Sequence, residues 1–504
     1  PRLYFIFILI LLVIALLVGK FTYSYLGPTI SDDLETQGEV TASGDTLIFT
    51  KGNNLSLSAT TDNFTTGGTN LTSTTNPKVK LVASTKTNQA NATYYVGVLI
   101  KNNTYVYTTS GKTPELILTI KDEKGNNVSS GVDGLTYVTS GGVSGFDVTG
   151  KTGLFNIKTD YPISTTSSSA GTTHTWTFTL TFVNLGTDQS DNENASMNVD
   201  IYLQKEEYKL PLNEYVISQY NGVQGNNNIY HHDGTLENGI DDGSYRYAGA
   251  DNSVNNYVCF GSDSVTCPTD NLYRIIGLFD SQVKIIKATA AKSDLLGTDG
   301  EYFQDTVYYN WSSLNSCPSN VALLSNNVVF LAVPGQTTFG CNLWKYSGMN
   351  TINLNTNYLN NIGTTWSNMI EDTTWKVSGH STSSVTPSEM YKEEIANAIK
   401  TYGPRDGTSK IGLMYVSDYG FAASPNAWTT KMSSYDNSSI KSVNWMYIGF
   451  YEWTITPVSS GSKNLFVFQQ GKLFTSTSKT ENGFYSRPVM YLKSSVSYIG
   501  GSGS

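Results

Sequence analysis

Apolar positions fall along this chain in three regimes. Leu3 to Val18 (LYFIFILILLVIALLV) is an unbroken apolar run flanked by Arg2 and Lys20. Extended to Gly19, it makes a helix of about 25 Å, slightly short of the ~30 Å hydrocarbon core of a bilayer. Phe21, Tyr23 and Tyr25 lengthen its reach with the aromatics that favour membrane interfaces. A cleaved leader wants a shorter apolar region and a small-residue exit, and Thr22-Tyr23-Ser24 is a poor one. The run is therefore expected to stay attached, as a membrane anchor or as the core of a filament. Ile10, Ile14 and Val18 are the residues assigned to the assembling helix.

From residue 37 to about 205 the pattern changes to alternation. Thr175–Phe182 (TWTFTLTF) places Trp176, Phe178, Leu180 and Phe182 on one face and four threonines on the other. Met197–Leu203 repeats the pattern with Met197, Val199, Ile201 and Leu203 inward. Period two with β-branched partners predicts half-buried antiparallel strands, and many short ones between Gly/Asn/Asp turns predict a sandwich. Residues 206–256 read as a short helix at Pro211–Asn221 followed by a Gly/Asn/Asp-rich linker or wrapped loop.

The third regime, 257–504, mixes hairpins with isolated helices and predicts an α+β domain. Tyr273–Lys287 (YRIIGLFDSQVKIIK) reads as a hairpin turning at Asp280-Ser281. Thr386–Gly403 carries the clearest helix signal: Thr386 as cap, Pro387 at the first position, Glu389 closing a capping box, then Gly403-Pro404 as the stop. Its apolar stripe is Met390, Ile395, Ala398, Ile399 and Tyr402. The predicted organisation is thus multidomain: a hydrophobic α-helix at 1–26, a linker at 27–36, an all-β antiparallel sandwich at 37–205, the 206–256 connection, and an α+β domain at 257–504.

Composition narrows the function. Charged residues are 14 % of the 504, and 33 tyrosines outnumber the 32 lysines and arginines together. A net charge of −9 makes a poor phosphate neutraliser, which argues against nucleic acid as a partner. Four histidines (His174, His231, His232, His380) leave little for a His-ligated metal centre or a Ser-His-Asp machine. His231, His232 and Asp233 with Asp241 and Asp242 match no ligand spacing, so a solvated loop is expected there and no metal or other cofactor. Asn-x-Ser/Thr sequons are dense (Asn54, Asn63, Asn70, Asn91, Asn102, Asn127, Asn194, Asn310, Asn437), but a chain this rich in Asn, Ser and Thr produces them by chance.

The cysteines stand at Cys259, Cys267, Cys317 and Cys341, too widely spaced for a zinc ribbon. An even number in an exported chain points to disulfides; of three connectivities, nearest-neighbour pairing is the one expected. Seven of eight tryptophans lie beyond residue 256. Among them Trp428, Trp445 and Trp453 are candidates for a sugar-stacking platform, against the alternative that they anchor the core.

Gly44–Leu57 (GDTLIFTKGNNLSL) and Thr177–Leu203 resemble the opening and close of the β-sandwich in TasA/camelysin-type bacterial surface proteins, and that resemblance implies fibre assembly. The N-terminal run is similar in placement and length to the helix of processed pilins, with Phe5 where type IV pilins carry an acidic residue. Asn256–Lys287 resembles a module of uncharacterised bacterial surface proteins, closing at Arg487–Leu492. Asn444–Thr454 with Arg487-Pro488-Val489 is similar to formylglycine-generating-enzyme-like, C-type-lectin-related domains, which implies a presented binding surface. Together these readings lead to a non-enzymatic, cell-surface filament subunit displaying an outer adhesion domain. Its expected partners are identical subunits through the N-terminal helix, the membrane before assembly, and surface glycans. The alternative is a monomeric membrane-anchored glycan receptor.

Overall fold

A computed structural model describes residues 24–28, 39–42, 45–57, 61–64, 66–101, 103–262, 264, 266–314, 323–325, 328–330, 341–396, 407–459, 464–480, 483–500 and 503. The chain is mostly antiparallel β-sheet with short helices, and its contacts divide it into two compact units. The expected helix at 1–26, with Ile10, Ile14 and Val18, lies outside the described residues as far as Tyr23. No helix among the described residues is long and apolar enough to cross a membrane.

One unit comprises Ile30–Leu210 and Ile217–Val223. It holds three sandwich-like sheets. Ala90–Lys101 pairs with Gly153–Thr165 and Asn198–Gln204. Asp45–Thr50 and Lys78–Val82 form the centre of a four-stranded sheet, and Leu116–Lys121 and Thr177–Phe182 that of a five-stranded one. All three sheets feed one core containing Leu47, Val79, Val98, Leu118, Phe155 and Phe178. The alternation of TWTFTLTF holds in burial: Trp176, Phe178, Leu180 and Phe182 are fully buried. Its strand, however, breaks at Trp176, so Thr172–Thr175 and Thr177–Phe182 join different sheets.

The other unit comprises Pro211–Val216 and Gln224–Ser504 with the strand Ser24–Pro28. Its main sheet runs in the order Ile411–Gly412, Val489–Leu492, Gln282–Lys287, Leu272–Phe279, Tyr257–Cys259, Ser24–Pro28, Val496–Gly500, with Tyr245–Tyr247 also paired to Leu272–Phe279. Two expectations are corrected here. Ser24–Leu26, read as the end of the helix, and Gly27-Pro28, read as linker, form a strand parallel to Tyr257–Cys259 and antiparallel to Val496–Gly500. Strand pairing on both sides satisfies backbone groups that a helix end would leave open. The 206–256 stretch does hold a helix, Leu212–Tyr220. The residues after it are not a free linker, because Ile229–His231 and Tyr245–Tyr247 are strands of this unit.

The two local predictions are observed. Asp280 and Ser281 turn the Leu272–Phe279/Gln282–Lys287 hairpin with φ of 46° and 68°, the double positive φ of a tight hairpin turn. Thr386 caps Pro387–Tyr391 through a complete capping box with Glu389. The helix then widens to a π turn at Lys392–Ala396, and residues 397–406 lie outside the described set.

Candidate functional site

Four strands put one row of residues side by side. Arg246 is opposite Gly277, Gly277 opposite Lys284, and Lys284 opposite Tyr491. Directly opposed residues share a face of an antiparallel sheet, so two cations flank a residue with no side chain. A Cβ at Gly277 would run into the backbone of Tyr245. Glycine therefore lets the Tyr245–Tyr247 strand close over the hairpin.

The charge of this row is balanced by the helix Val416–Ala422 and by the loop before Arg246. Asp418 accepts from Lys284 Nζ at 2.5 Å and from the Tyr415 N–H at 3.0 Å, and its Oδ1 lies 3.7 Å from Arg246 Nη1. Asp242 accepts from Arg246 Nη2 at 2.8 Å and from the Ser244 hydroxyl at 2.5 Å. The guanidinium lies over Phe279 (4.6 Å), Phe421 (5.4 Å) and Tyr391 (5.6 Å). Lys284 Nζ is ringed by Tyr415 (4.4 Å), Tyr491 (5.2 Å), Phe279 (5.4 Å) and Trp375 (5.8 Å). A third carboxyl, Glu394, sits four residues after buried Met390 and so on the buried face of its helix. It accepts from the Val416 N–H (2.8 Å), the Ser417 N–H (3.0 Å) and the Thr456 hydroxyl.

Burial governs the titration of Glu394 and Lys284. It pushes the Glu394 carboxyl up to about 7 and lowers Lys284, the latter against the opposing pull of Asp418. It also acts to raise Asp242, but the Arg246 charge and the Ser244 bonds prevail and hold that carboxyl near 2. Buried ion pairs of this kind add little net stability, yet removing one member leaves an uncompensated charge and is expensive.

A cleft of about 250 Å³ opens onto Arg246, Lys284 and Asp418, walled by Phe279, Tyr391 and Tyr491 and rimmed by Gln282, Thr373, Thr374 and Lys376. Arg246 Nη1 and Asp418 Oδ1 are both buried, and neither has a hydrogen-bond partner. At 3.7 Å they are too far apart to bond each other. A hydroxyl oxygen presented from the cleft, to one side of the pair, can accept from the guanidinium and donate to the carboxylate.

The sequence-selected tryptophans are elsewhere. Trp428, Trp445 and Trp453 are buried, and their indole N–H groups donate to the carbonyls of Ala423, Tyr247 and Tyr309 at 2.7–2.8 Å. They anchor the core and offer no open ring face; Trp428 backs Phe421 beneath the Arg246 guanidinium. Cys259 and Cys267 are joined, as nearest-neighbour pairing expects. Cys341 is also disulfide-bonded, while Cys317 lies outside the described residues. Cys259, Cys267 and Cys341 do not line the cleft. Among the described residues no group of His, Cys, Asp and Glu is placed to hold a metal ion. The expected solvated loop is instead split: His231 pairs with Asp233 at 3.1 Å, while His232 turns fully into the core.

Sequence reasoning misses Arg246, Lys284 and Asp418, and considers Asp242 only as a metal ligand. The available signal was a cation at the centre of an apolar strand, as in Val283-Lys284-Ile285, since Lys and Arg are almost never fully buried unless paired. A second, more open cleft of about 770 Å³ lies in the sandwich unit beside His174, Glu123, Tyr161 and Lys205. There the Tyr94 hydroxyl sits between Trp176 Nε1 and His174 Nδ1, 2.9 Å from each. No protein-family model, curated protein or solved structure matches this chain.

Proposed function

We propose that this chain is a non-enzymatic protein displayed outside the cell, whose C-terminal unit binds a hydroxylated ligand, a glycan, in the Arg246–Asp418 cleft. One observation carries the reading: a buried donor and a buried acceptor, 3.7 Å apart and each without a hydrogen-bond partner, lie side by side on residues that line the cleft. Such groups carry a desolvation penalty until they are matched. The aromatic walls supply apolar faces for a sugar ring, and the rim is polar. Ligand sites of this size combine an apolar lining with a few convergent polar groups.

The apolar run Leu3–Val18 supports display from a membrane or from a filament core, because a retained run of this kind needs an apolar partner. A charge introduced at Ile10 or Ile14 is expected to abolish fibres while leaving the folded units intact. Isolated particles seen only in detergent by negative stain would favour the anchored receptor instead.

The binding reading is tested on a glycan array with the full chain and with Thr374→Trp, which fills the rim without touching a buried charge. Wild-type signal that is lost in the variant is expected. A flat wild-type response contradicts the reading.

A further inference from the structure

We infer that Lys284 and Asp418 are joined by an intramolecular amide bond that the folded chain makes by itself. This goes beyond ligand binding: it is a covalent modification of the floor of the same cleft.

The reactants are already in place. Lys284 Nζ is 2.5 Å from Asp418 Oδ2, which brings the nitrogen within reach of the carboxyl carbon, and both side chains are about 1 % exposed. Neither can turn away, because each is fixed from behind. Lys284 stands in an inner strand of the sheet, between Gly277 and Tyr491. Asp418 is fixed by the Tyr415 N–H and by Glu394, whose carboxyl grips the first two N–H groups of the helix that carries it. Such preorganisation converts a slow bimolecular reaction into an intramolecular one.

The charged groups facing the pair are Arg246 and Glu394, and the remaining wall is the rings of Phe279, Trp375, Tyr415 and Tyr491. In this dry shell the ammonium can hand a proton to Oδ2, leaving a neutral amine beside a neutral acid. The amine attacks the carboxyl carbon, and the N–C bond forms. Negative charge builds on Oδ1, which faces Arg246 Nη1, a donor with no other hydrogen-bond partner. A second proton passes from nitrogen to Oδ2, the C–Oδ2 bond breaks, and one water departs into the cleft. An ammonium and a carboxylate become an amide and a water, so no co-reactant is required. Oδ1 remains as the amide oxygen, still an acceptor facing Arg246. Glu394 is a positioning residue in this scheme.

Mass spectrometry of the full chain, denatured and reduced, tests the proposal. The expected mass is lower than that of the reduced sequence by one water, and a protease digest yields a branched peptide joining Lys284 to Asp418. Lys284→Arg keeps the charge but not the nucleophile and is expected to restore the full mass. A wild-type chain of full mass, or a deficit located at other residues, overturns the inference whatever the variant does. Glycan binding with no mass deficit would leave the ligand reading standing and this one refuted.

Discussion

At the scale of single residues, the C-terminal unit concentrates its cost in a few buried polar groups. His232 shows the consequence. It is fully buried, edge-on to Phe421 at 4.9 Å, and neither ring nitrogen has a hydrogen-bond partner. Burial, reinforced by Arg246, lowers its titration from 6.5 to about 3. The unfolded chain binds this proton below about 6.5 while the folded chain refuses it until about 3, so stability falls as the pH drops through that window. The loss is on the order of 5 kcal/mol at full extent. Glu394 acts with the opposite sign: its raised carboxyl gives stability at low pH that is lost as the pH rises through about 7. Urea unfolding between pH 3 and 8 is expected to show a steep acid limb that His232→Phe flattens. An unchanged limb in the variant would assign the acid sensitivity to other groups.

At the scale of elements, what was legible was local. The Asp280-Ser281 turn and the Thr386 capping box depend on residues two or three apart, and both were readable without a structure. The row Arg246–Gly277–Lys284–Tyr491 was not, because it needs four strands from distant parts of the chain to reach one register. Periodicity marked Met390 and Ile395 as inward but gave no reason to bury Glu394 beside them. That burial is set by the open N–H groups of the Val416–Ala422 helix, a tertiary partner. The Trp-rich composition reads chiefly as a core, with Trp428, Trp445 and Trp453 as candidates for a platform, and burial with bonded indole N–H groups separates the two. The capping box also gives a test at this scale. Thr386→Ala is expected to cost about 1 kcal/mol, seen as a lower unfolding midpoint with glycan binding retained, since Thr386 is outside the cleft.

At the scale of the whole molecule, the two units differ in how they are held together. The Ile30–Leu210 unit relies on one apolar core shared by three sheets, whereas every cysteine falls in Gln224–Ser504. The Cys259–Cys267 loop alone is worth roughly 2.5 kcal/mol by loop entropy. Calorimetry is expected to resolve two transitions, of which reductant lowers only one. A shift of both would mean that the units unfold together. Disulfides of this kind persist in an oxidising environment.

The account rests on the unbonded Arg246 Nη1 and Asp418 Oδ1, and crystals of the full chain grown with an oligosaccharide selected on the array address it most directly. The expected result is a sugar oxygen within hydrogen-bond distance of both Arg246 Nη1 and Asp418 Oδ1, with a ring face against Tyr391 or Phe279. A sugar bound elsewhere on the chain, with Arg246 Nη1 and Asp418 Oδ1 left unbonded, would contradict the account.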